Sequence, residues 1–553
     1  MFEGVINHMS IPGLILLLIH PSSFILHPFD TMFLLQANTT ALFNSGDLQL
    51  IVPELILTVC ACIALVMEVV LPYRKSKLIA YFSLFGIALA AVSLWIQFWA
   101  NRDVLPLDGF YGMIRIDGFA IVFQSIFLVG AALAIAISTR YLDIEGEQHG
   151  EYYALVLFAT VGMMFLGCGF DLITLYISLE LMALTFYVLV AFTKREKRSN
   201  EAAMKYFLLG AFSSGVLLYG MSLLYGIAGS TNLGEIGRSV AEIAASMGQT
   251  SDPASASLRP MLLLGMIALA AGLFFKIAAV PFHMWAPDVY EGAPTSVTAF
   301  LSTASKAASF ALYARIFIEG LNSVRADWAP LLGLVAAITI MVGNWAAVTQ
   351  ENSKRLLAYS SISNAGYLLL GLVAGNIYGY IGLVIYLLVY TLMNMGAFGI
   401  IISLRRRGII GDNVDDMAGL AQKAPGMAAM MAVFMLSLGG LPMTGGFIGK
   451  WYLLYGLFDR GKADGKNWYY WLAGWAAINI VVSFYYYVRF IKVMYLGDRV
   501  ADDKPLSLSP ALQTALVVSL AGIIFIGVYP QPLIEIVQKL VGPLAALGSV
   551  TLK

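Results

Sequence analysis

The sequence predicts an all-α integral membrane protein with about fourteen transmembrane helices. Of the 553 residues, 59% are hydrophobic and only 12% are charged, and the mean hydropathy is +0.80. A soluble domain carries about 25% charged residues and could not hide so much apolar material. The 33 basic residues balance the 33 acidic ones, which excludes a nucleic-acid-binding protein, because neutralising phosphates requires a basic excess.

Long apolar runs alternate with short charged loops from Asp47 onward, which is typical of a polytopic helical bundle. A β-barrel is excluded, because the runs lack period-two alternation and exceed the roughly 9 to 11 residues of a tilted strand. The predicted spans cover residues 48–71, 78–100, 117–139, 152–169, 171–192, 205–228, 261–281, 294–318, 329–350, 355–375, 379–404, 427–458, 468–495 and 510–529.

Basic residues in the loops predict the orientation. Alternate loops on one side hold 18 Lys and Arg residues, and the opposite side with the termini holds 11. This bias places both termini outside the cytoplasm, and the link Gly229 to Pro260 is expected to be an external loop. No Lys or Arg precedes Arg74, so residues 1–46 do not match a standard signal peptide and remain an undecided extension.

Two spans are predicted to be broken helices. The twelfth, Met427 to Phe458, has 32 residues, roughly 48 Å as one helix, and contains Pro442. Proline removes a backbone donor and clashes with the preceding turn, so we expect two half-helices with an unwound centre. The seventh span is also expected to be interrupted by a proline, Pro281. Paired interrupted helices in the two halves of a chain point to inverted repeats and an ion path near the midplane.

Charged side chains inside the spans are the candidate functional residues, because each costs about 2.5 to 3.5 kcal/mol near the bilayer centre. Glu180 is the only charge between Leu172 and Phe192, and Lys306 lies deep in its span with Ser302 and Ser309 near its face. A desolvated lysine can exchange a proton near neutral pH, which an arginine cannot. The structural alternatives are a carboxyl that bonds a partner helix and a buried ion pair.

The remaining candidates lie near the breaks or at a span end. Lys276 precedes the first break by about one turn, and Lys450 follows Pro442 by eight residues. For these two the alternative is a lysine that reaches the interface. Lys205 is predicted to open its span with Glu201 as a partner one turn earlier, which also fits an interfacial position. His283 is either a proton relay or a cap on the break.

Ligand sets for cofactors or metals are not evident in the sequence. Gly445 to Lys450 approaches a phosphate loop, but Trp451 replaces the required Ser or Thr. No haem, iron–sulfur or zinc ligand pattern appears. We therefore expect no redox centre, no cofactor site and no metal site in this chain.

Several motifs resemble subunit N of proton-pumping NADH:quinone oxidoreductase, the respiratory complex I, and are similar to subunit 2 of photosynthetic NAD(P)H dehydrogenase complexes. The resemblance extends from residue 47 to about 530. The motifs are Ile177-Ser178-Leu179-Glu180-Leu181, Asn200-Glu201-Ala202-Ala203-Met204-Lys205-Tyr206-Phe207, Phe275 to Thr295 with Ser305-Lys306, Leu356 to Ile362, and Gly440 to Lys450.

The resemblance implies an antiporter-like fold of two inverted five-helix repeats, with helices 7 and 12 broken. The implied parts are an extension at 1–46, three helices at 47–151, a first repeat at 152–320 (helices 4–8), a second at 329–496 (helices 9–13), and a last helix and tail at 505–553. It also implies Glu180 and Lys205 as a charge switch, Lys276 and Lys306 as central proton carriers, and Lys450 toward the exit, with His283, Pro281 and Pro442 in support.

The implied function is that of a proton-translocating membrane-arm subunit in the bacterial inner membrane. Quinone reduction in partner subunits would drive the pumping, and NADH or ferredoxin, flavin, iron–sulfur clusters and quinone would lie in those partners. The expected partners are lipid and the subunits L, M, K, A, J and H. Two rivals remain open, a cation/proton antiporter subunit and a purely structural membrane spacer.

Overall fold

Apolar helices follow one another at the predicted positions along the chain. The computed structural model describes residues 46–71, 76–246, 253–405, 412–497 and 508–549. Twelve helices in these ranges are long and apolar enough to cross a membrane. The undecided extension, apart from residue 46, lies outside the described residues. From Gln49 onward the chain forms one compact unit.

The helices of the first half have these bounds: α1 Val52–Val70, α2 Ser76–Asn101, α3 Gly118–Glu145, α4 Gly150–Cys168, α5 Leu172–Val190, α6 Lys197–Ala228, α7 Leu233–Ser246, α8 Pro253–Ile277, α9 Trp285–Gly292 and α10 Thr295–Ala314. A π-helical segment, Arg315–Gly320, continues α10. A short antiparallel hairpin between α2 and α3 consists of β1 (Leu107–Gly109) and β2 (Ile114–Ile116).

The helices of the second half are α11 Arg325–Val348, α12 Ser353–Ala374, α13 Ile377–Leu404, α14 Pro425–Gly439, α15 Gly445–Asp464, α16 Trp468–Leu496, α17 Pro510–Val528 and α18 Gln531–Ser549. Single turns at Asp47–Leu50, Asn322–Val324, Val414–Met417 and Leu420–Lys423 complete the described helical segments.

Three helices form the centre of the molecule. All twenty residues of α10 are buried, and α12 and α13 are buried over nearly their whole length. Helices α1, α2, α6 and α16 instead expose large apolar side chains, for example Val66, Ile96, Phe212 and Val481. Such faces suit contact with lipid hydrocarbon, whereas Lys306 on α10 is buried inside the bundle.

Both predicted breaks are present. Helix α8 ends at Ile277, and the chain resumes as α9 at Trp285, with Ala278 in the left-handed region at φ 57°. The indole Nε1 of Trp285 donates to the carbonyl oxygen of Phe275 across this break (3.0 Å). The second break separates α14 from α15 and includes Gly440 at φ 89°. In each predicted repeat the broken helix is the fourth of five.

Three local predictions differ from the structure. Helix α6 begins at Lys197 rather than at 205, so Lys205 lies about two turns inside it. The predicted loop Gly229 to Pro260 contains α7, and the predicted C-terminal tail contains α18. Both helices are amphipathic. The buried apolar residues of α7, at 233, 236, 240 and 243, have the spacing of a helix face. The many Gly, Ser and Ala residues in this link made that spacing hard to recognise in the sequence.

Candidate functional site

Lys306 is buried at the centre of the bundle and binds the neighbouring helix. Its side chain is 2% exposed, and its Nζ donates to both the carbonyl oxygen and the hydroxyl of Ser361 on α12, each at 2.5 Å. Ser302 and Ser309, which the sequence places near Lys306, donate instead to backbone carbonyls of α10. The ammonium of Lys306 therefore depends on α12 for its polar contacts.

A chain of buried polar groups begins at Ser360, the residue next to Ser361 in α12. The hydroxyl of the adjacent Ser360 lies 2.5 Å from the hydroxyl of Tyr487 and accepts from Asn364 Nδ2 (3.3 Å). Tyr386 donates its hydroxyl proton to Asn364 Oδ1 (2.6 Å). All four side chains are buried. Hydroxyl groups can both donate and accept, so such a chain is able to pass a proton when its rotors turn.

Lys450 lies beside the ring of Tyr386 and caps the first half of the second broken helix. Its Nζ donates to the carbonyl oxygens of Leu438 (2.7 Å) and Gly439 (3.4 Å) at the C-terminus of α14. The same Nζ lies 4.9 Å from the ring centroid of Tyr367 and 5.9 Å from that of Tyr386. A cation is favourable at a helix C-terminus, where unpaired carbonyls carry partial negative charge.

Lys276 lies in the last turn of α8, just before the first break. It is 8% exposed, and its Nζ donates to the hydroxyl of Ser214 on α6 (3.2 Å). Glu180 on α5 interacts electrostatically with Lys276. One carboxylate oxygen of Glu180, Oε1, is buried and has no hydrogen-bond partner in the described part of the chain. Glu180 thus has a buried acceptor oxygen that no group in the described residues fills.

Lys205 is placed differently from the expected charge switch. Its Nζ lies 2.9 Å from Glu201 Oε1 and 3.0 Å from Asp288 Oδ2, and no ion pair within 4.0 Å joins it to Glu180 among the described residues. The side chain is 43% exposed. A polar pocket is lined by Lys205 with both of these carboxylates. The partner on its own helix, Glu201, agrees with the sequence, whereas Asp288 on α9 was not expected.

Asp288 also connects Lys205 to the second half of the chain. Arg355, in the first turn of α12, directs Nη1 to Asp288 Oδ1 (3.1 Å) and to Glu291 Oε2 (2.8 Å). The neighbouring Lys354 donates to the carbonyl oxygen of Ala293 at the end of α9 (3.0 Å). Helix α9 is therefore bound at one end by two cations from α12.

The supporting residues lie in the two links. Pro281 and Pro442 are exposed within the breaks, where the missing backbone donor of proline is no disadvantage. His283 is partly buried, and its Nδ1 has no hydrogen-bond partner among the described residues. Its backbone carbonyl accepts from the amide of Ala286 as α9 begins (3.0 Å).

The structure brings together some predicted residues and adds others. Lys306 binds Ser361, next to the polar chain that begins at Ser360, and Lys450 lies beside the ring of Tyr386 at the other end of that chain. Lys205 pairs with Asp288. The polar side chains that contact these lysines or lie near them were not predicted from the sequence. They are Ser214, Ser360, Ser361, Asn364, Tyr386 and Tyr487. The available signal was polar residues within apolar spans, but this pattern alone does not tell which of them face a lysine.

The chain is similar to known membrane proteins. A family model described as NADH:quinone oxidoreductase/Mrp antiporter, TM, matches residues 169–472. The chain is 47% identical over 500 residues to the protein named NADH-quinone oxidoreductase subunit N 2 of Solibacter usitatus. The aligned region covers 90% of this chain and 98% of that relative.

Two solved structures are similar in fold. A chain of respiratory complex I from Thermus thermophilus with bound aureothin has a TM-score of 0.70 and 31% identity, over 87% of this chain and 98% of that one. A chain of the Mrp complex from Dietzia sp. DQ12-45-1b has a TM-score of 0.75, over 91% of this chain and 98% of that one, at 19% identity. The latter supports the antiporter-like fold alone. This chain belongs to the NADH:quinone oxidoreductase/Mrp antiporter family of membrane proteins, within its subunit N group.

Proposed function

We propose that this chain is a proton-translocating membrane-arm subunit of an NADH:quinone oxidoreductase. The observation that supports this most directly is the buried polar chain between Lys306 and Lys450. Lys306 binds Ser361, and the next residue of α12, Ser360, begins a set of hydrogen bonds through Asn364 to Tyr386. The ring of Tyr386 has its centroid 5.9 Å from Lys450 Nζ. Burying so many polar groups in a membrane helix bundle is costly, and they typically mark an ion or proton path.

The chemistry of lysine suits a carrier that is charged and discharged in turn. Lys276, Lys306 and Lys450 are each at least 92% buried. Among the described residues, each finds neutral oxygen acceptors and no carboxylate within 4.0 Å. A serine hydroxyl or a carbonyl stabilises the ammonium less than a carboxylate would, so neither the charged nor the neutral form is locked. Arginine at these positions would keep its proton.

The proposed order of events begins at Glu180 and Lys205. These two act as a charge switch that changes the electrostatic environment of Lys276. A proton then passes from Lys276 to Lys306, and along the polar chain to Lys450, which lies toward the exit. His283, Pro281 and Pro442 support the path by shaping the two breaks. Moving one charge against about 100 mV requires about 2.3 kcal/mol, which the charge rearrangement must supply.

The energy source lies in the neighbours of this chain in the assembly. We propose that these are the subunits L, M, K, A, J and H, of which L and M are antiporter-like, K, A and J are small, and H contributes the quinone site. NADH or ferredoxin, flavin, iron–sulfur clusters and quinone are bound outside this chain. The proposed location is the bacterial inner membrane with both termini on the periplasmic side. The polar pocket beside Lys205 then faces the cytoplasm and serves as the entry.

The test is the proton-to-electron ratio of the whole complex in reconstituted vesicles. We expect Lys276→Ala, Lys306→Ala and Glu180→Ala each to lower the ratio while quinone reduction continues. Pumping that requires sodium would instead indicate the cation/proton antiporter, the rival that shares this fold. An unchanged ratio in all three variants would leave only a structural spacer.

A further inference from the structure

We propose that a basic cavity at the ends of α11, α15 and α16 holds the headgroup of an anionic phospholipid, a phosphodiester that carries a hydroxyl group. The cavity has a volume of about 280 Å³ and is lined by the start of α11, the end of α15 and the start of α16. None of the described residues that line it belongs to the proton path proposed above. The inference therefore goes beyond the proposed function and does not depend on it.

Basic side chains outnumber acidic ones in this cavity. Arg325, Arg460 and Lys466 line it, and Asp464 is the one acidic residue among the described residues that do so. Arg460 Nε lies 3.1 Å from Asp464 Oδ2, so the single carboxylate is already paired with one of the three cations. Arg325 and Arg460 are 7% and 9% exposed. Two buried cations at one cavity are costly unless an anion accompanies them, so the cavity favours a negatively charged ligand.

Arg325 keeps donor groups that its contacts within the chain do not use. Its Nη2 donates to the carbonyl oxygens of Val373 and Ala374, which lie at the end of α12. Its Nε and Nη1 are buried, and neither has a hydrogen-bond partner among the described residues. The hydroxyl of Ser323, which also lines the cavity, is buried in the same state. Buried donors are normally paired, so a ligand that accepts hydrogen bonds would recover the free energy lost here.

A phosphodiester with a hydroxyl group matches the unused groups of both kinds. Its charged oxygens accept hydrogen bonds from the planar guanidinium of an arginine, which suits Arg325. Asp464 Oδ1 is buried and also has no hydrogen-bond partner in the described part of the chain. This oxygen accepts and cannot donate, so phosphate alone leaves it unpaired, whereas a hydroxyl of the headgroup donates to it. A phosphoglycerol headgroup supplies both functions.

The apolar faces next to the cavity favour a lipid over a soluble anion. Ala326 and Pro330 line the cavity on α11, and Leu334, four positions after Pro330 on the same face, is 59% exposed. Trp468 lines the cavity on α16, and Trp471, three positions later, is 80% exposed. Tryptophan is enriched where membrane helices meet the headgroup region. A headgroup in the cavity would thus leave its acyl chains against exposed apolar side chains of both helices.

Helices α11 and α16 are in direct contact beside the cavity. The indole Nε1 of Trp475 donates to the carbonyl oxygen of Ala337 (3.1 Å). A Cβ added at Gly333 would lie 2.9 Å from the ring of Trp468. The exposed faces of the two helices are therefore close enough for one lipid to contact both.

The experiment measures the lipid that this chain retains in the whole complex. The complex is purified in detergent and titrated with phosphatidylglycerol, and native mass spectrometry counts the lipid molecules on this chain after its release in the gas phase. We expect the wild-type chain to retain one phosphatidylglycerol that Arg325→Gln binds at least about tenfold more weakly, since a charge-assisted hydrogen bond is lost. Phosphatidylcholine, which has no net negative charge and no headgroup hydroxyl, should not replace it.

Lys466→Gln is a second variant in case Arg325→Gln does not assemble, because Arg325 also binds the end of α12. Lys466 is exposed in the link between α15 and α16, so its replacement should leave the packing intact. We expect roughly two- to fivefold weaker retention of phosphatidylglycerol, the effect of one exposed charge. Lys462→Gln is the matched control, because Lys462 is an exposed lysine of α15 that does not line the cavity. It should retain the lipid like the wild type.

Three results would overturn the proposal. Equal retention by the wild type, Arg325→Gln and Lys466→Gln would show that the lipid binds elsewhere. Full displacement of phosphatidylglycerol by inorganic phosphate would identify the cavity as a site for a free anion. If the wild-type chain retains no phosphatidylglycerol and both variants lose a neighbouring subunit, an acidic group of that partner occupies the cavity. None of these readouts depends on proton pumping, so the proposed function is tested separately.

Discussion

Lys450 donates a hydrogen bond to the carbonyl oxygen of Leu438 across the break of the twelfth predicted span, at 2.7 Å. The two residues are twelve positions apart, on the half-helices α15 and α14. A single continuous helix would separate them by about 18 Å along its axis, so this contact exists only because the helix is broken. The ammonium that we propose as a proton carrier is therefore also the cap at the end of α14.

Lys450→Arg should separate the two roles of this residue. The guanidinium stays charged and can still bind the carbonyls of α14, but it does not release a proton near neutral pH. We expect the complex to assemble with little loss of thermal stability and to pump fewer protons per electron. Lys450→Met removes the cap as well, and leaving a buried carbonyl unsatisfied costs about 1 to 3 kcal/mol. A wild-type ratio in Lys450→Arg would contradict a carrier role.

Tyr386→Phe should interrupt the polar chain between Lys306 and Lys450. The change removes the hydroxyl that donates to Asn364 Oδ1 and keeps the ring beside Lys450. We expect slower proton translocation at an unchanged rate of quinone reduction, followed with a pH-sensitive dye inside the vesicles. Tyr313→Phe is the matched control, since the Tyr313 hydroxyl is buried with no hydrogen-bond partner among the described residues. Equal effects of the two variants would refute a path through Tyr386.

Gly446→Ala should weaken the crossing of the two half-helices. A Cβ at Gly446 would lie 1.9 Å from the carbonyl oxygen of Ser437 on α14, so the backbones must separate. Overpacking of this kind costs about 1 to 3 kcal/mol. We expect a lower unfolding temperature of the complex and less of it in the membrane. Gly474→Ala on α16 is the control, because its Cβ meets nothing within 4 Å, and it should be neutral or slightly stabilising.

The breaks in the seventh and twelfth spans could be predicted from residue order alone. Proline and glycine act on the backbone within one turn, so Pro281 and Pro442 predict the interruptions without knowledge of any neighbour. The depth of Glu180 and Lys306 follows from the length of the apolar run around each, because the cost of burying a charge depends on distance from the nearest span end.

The partners of the same charges could not be predicted in this way. Lys306 binds Ser361, which is 55 positions away, and Lys205 binds Asp288, which is 83 positions away, and both contacts depend on which helices become neighbours and at what rotation. An ammonium can donate to any oxygen acceptor within reach, so its residue type does not identify its partner. Many positions of α12 carry polar residues, and their spacing in the sequence does not show which of them faces Lys306. Helix α7 was missed for a related reason: it is stabilised by packing its apolar side on neighbouring segments rather than by a long hydrophobic run.

Membrane location, the order of the spans, the two interruptions and the identity of the buried charges thus follow from local composition, since hydration and backbone chemistry act residue by residue. The assignment of each charge to an acceptor arises from the packing of distant segments. That packing places Lys205 at Asp288, Lys306 at Ser361 and Lys450 at the end of α14.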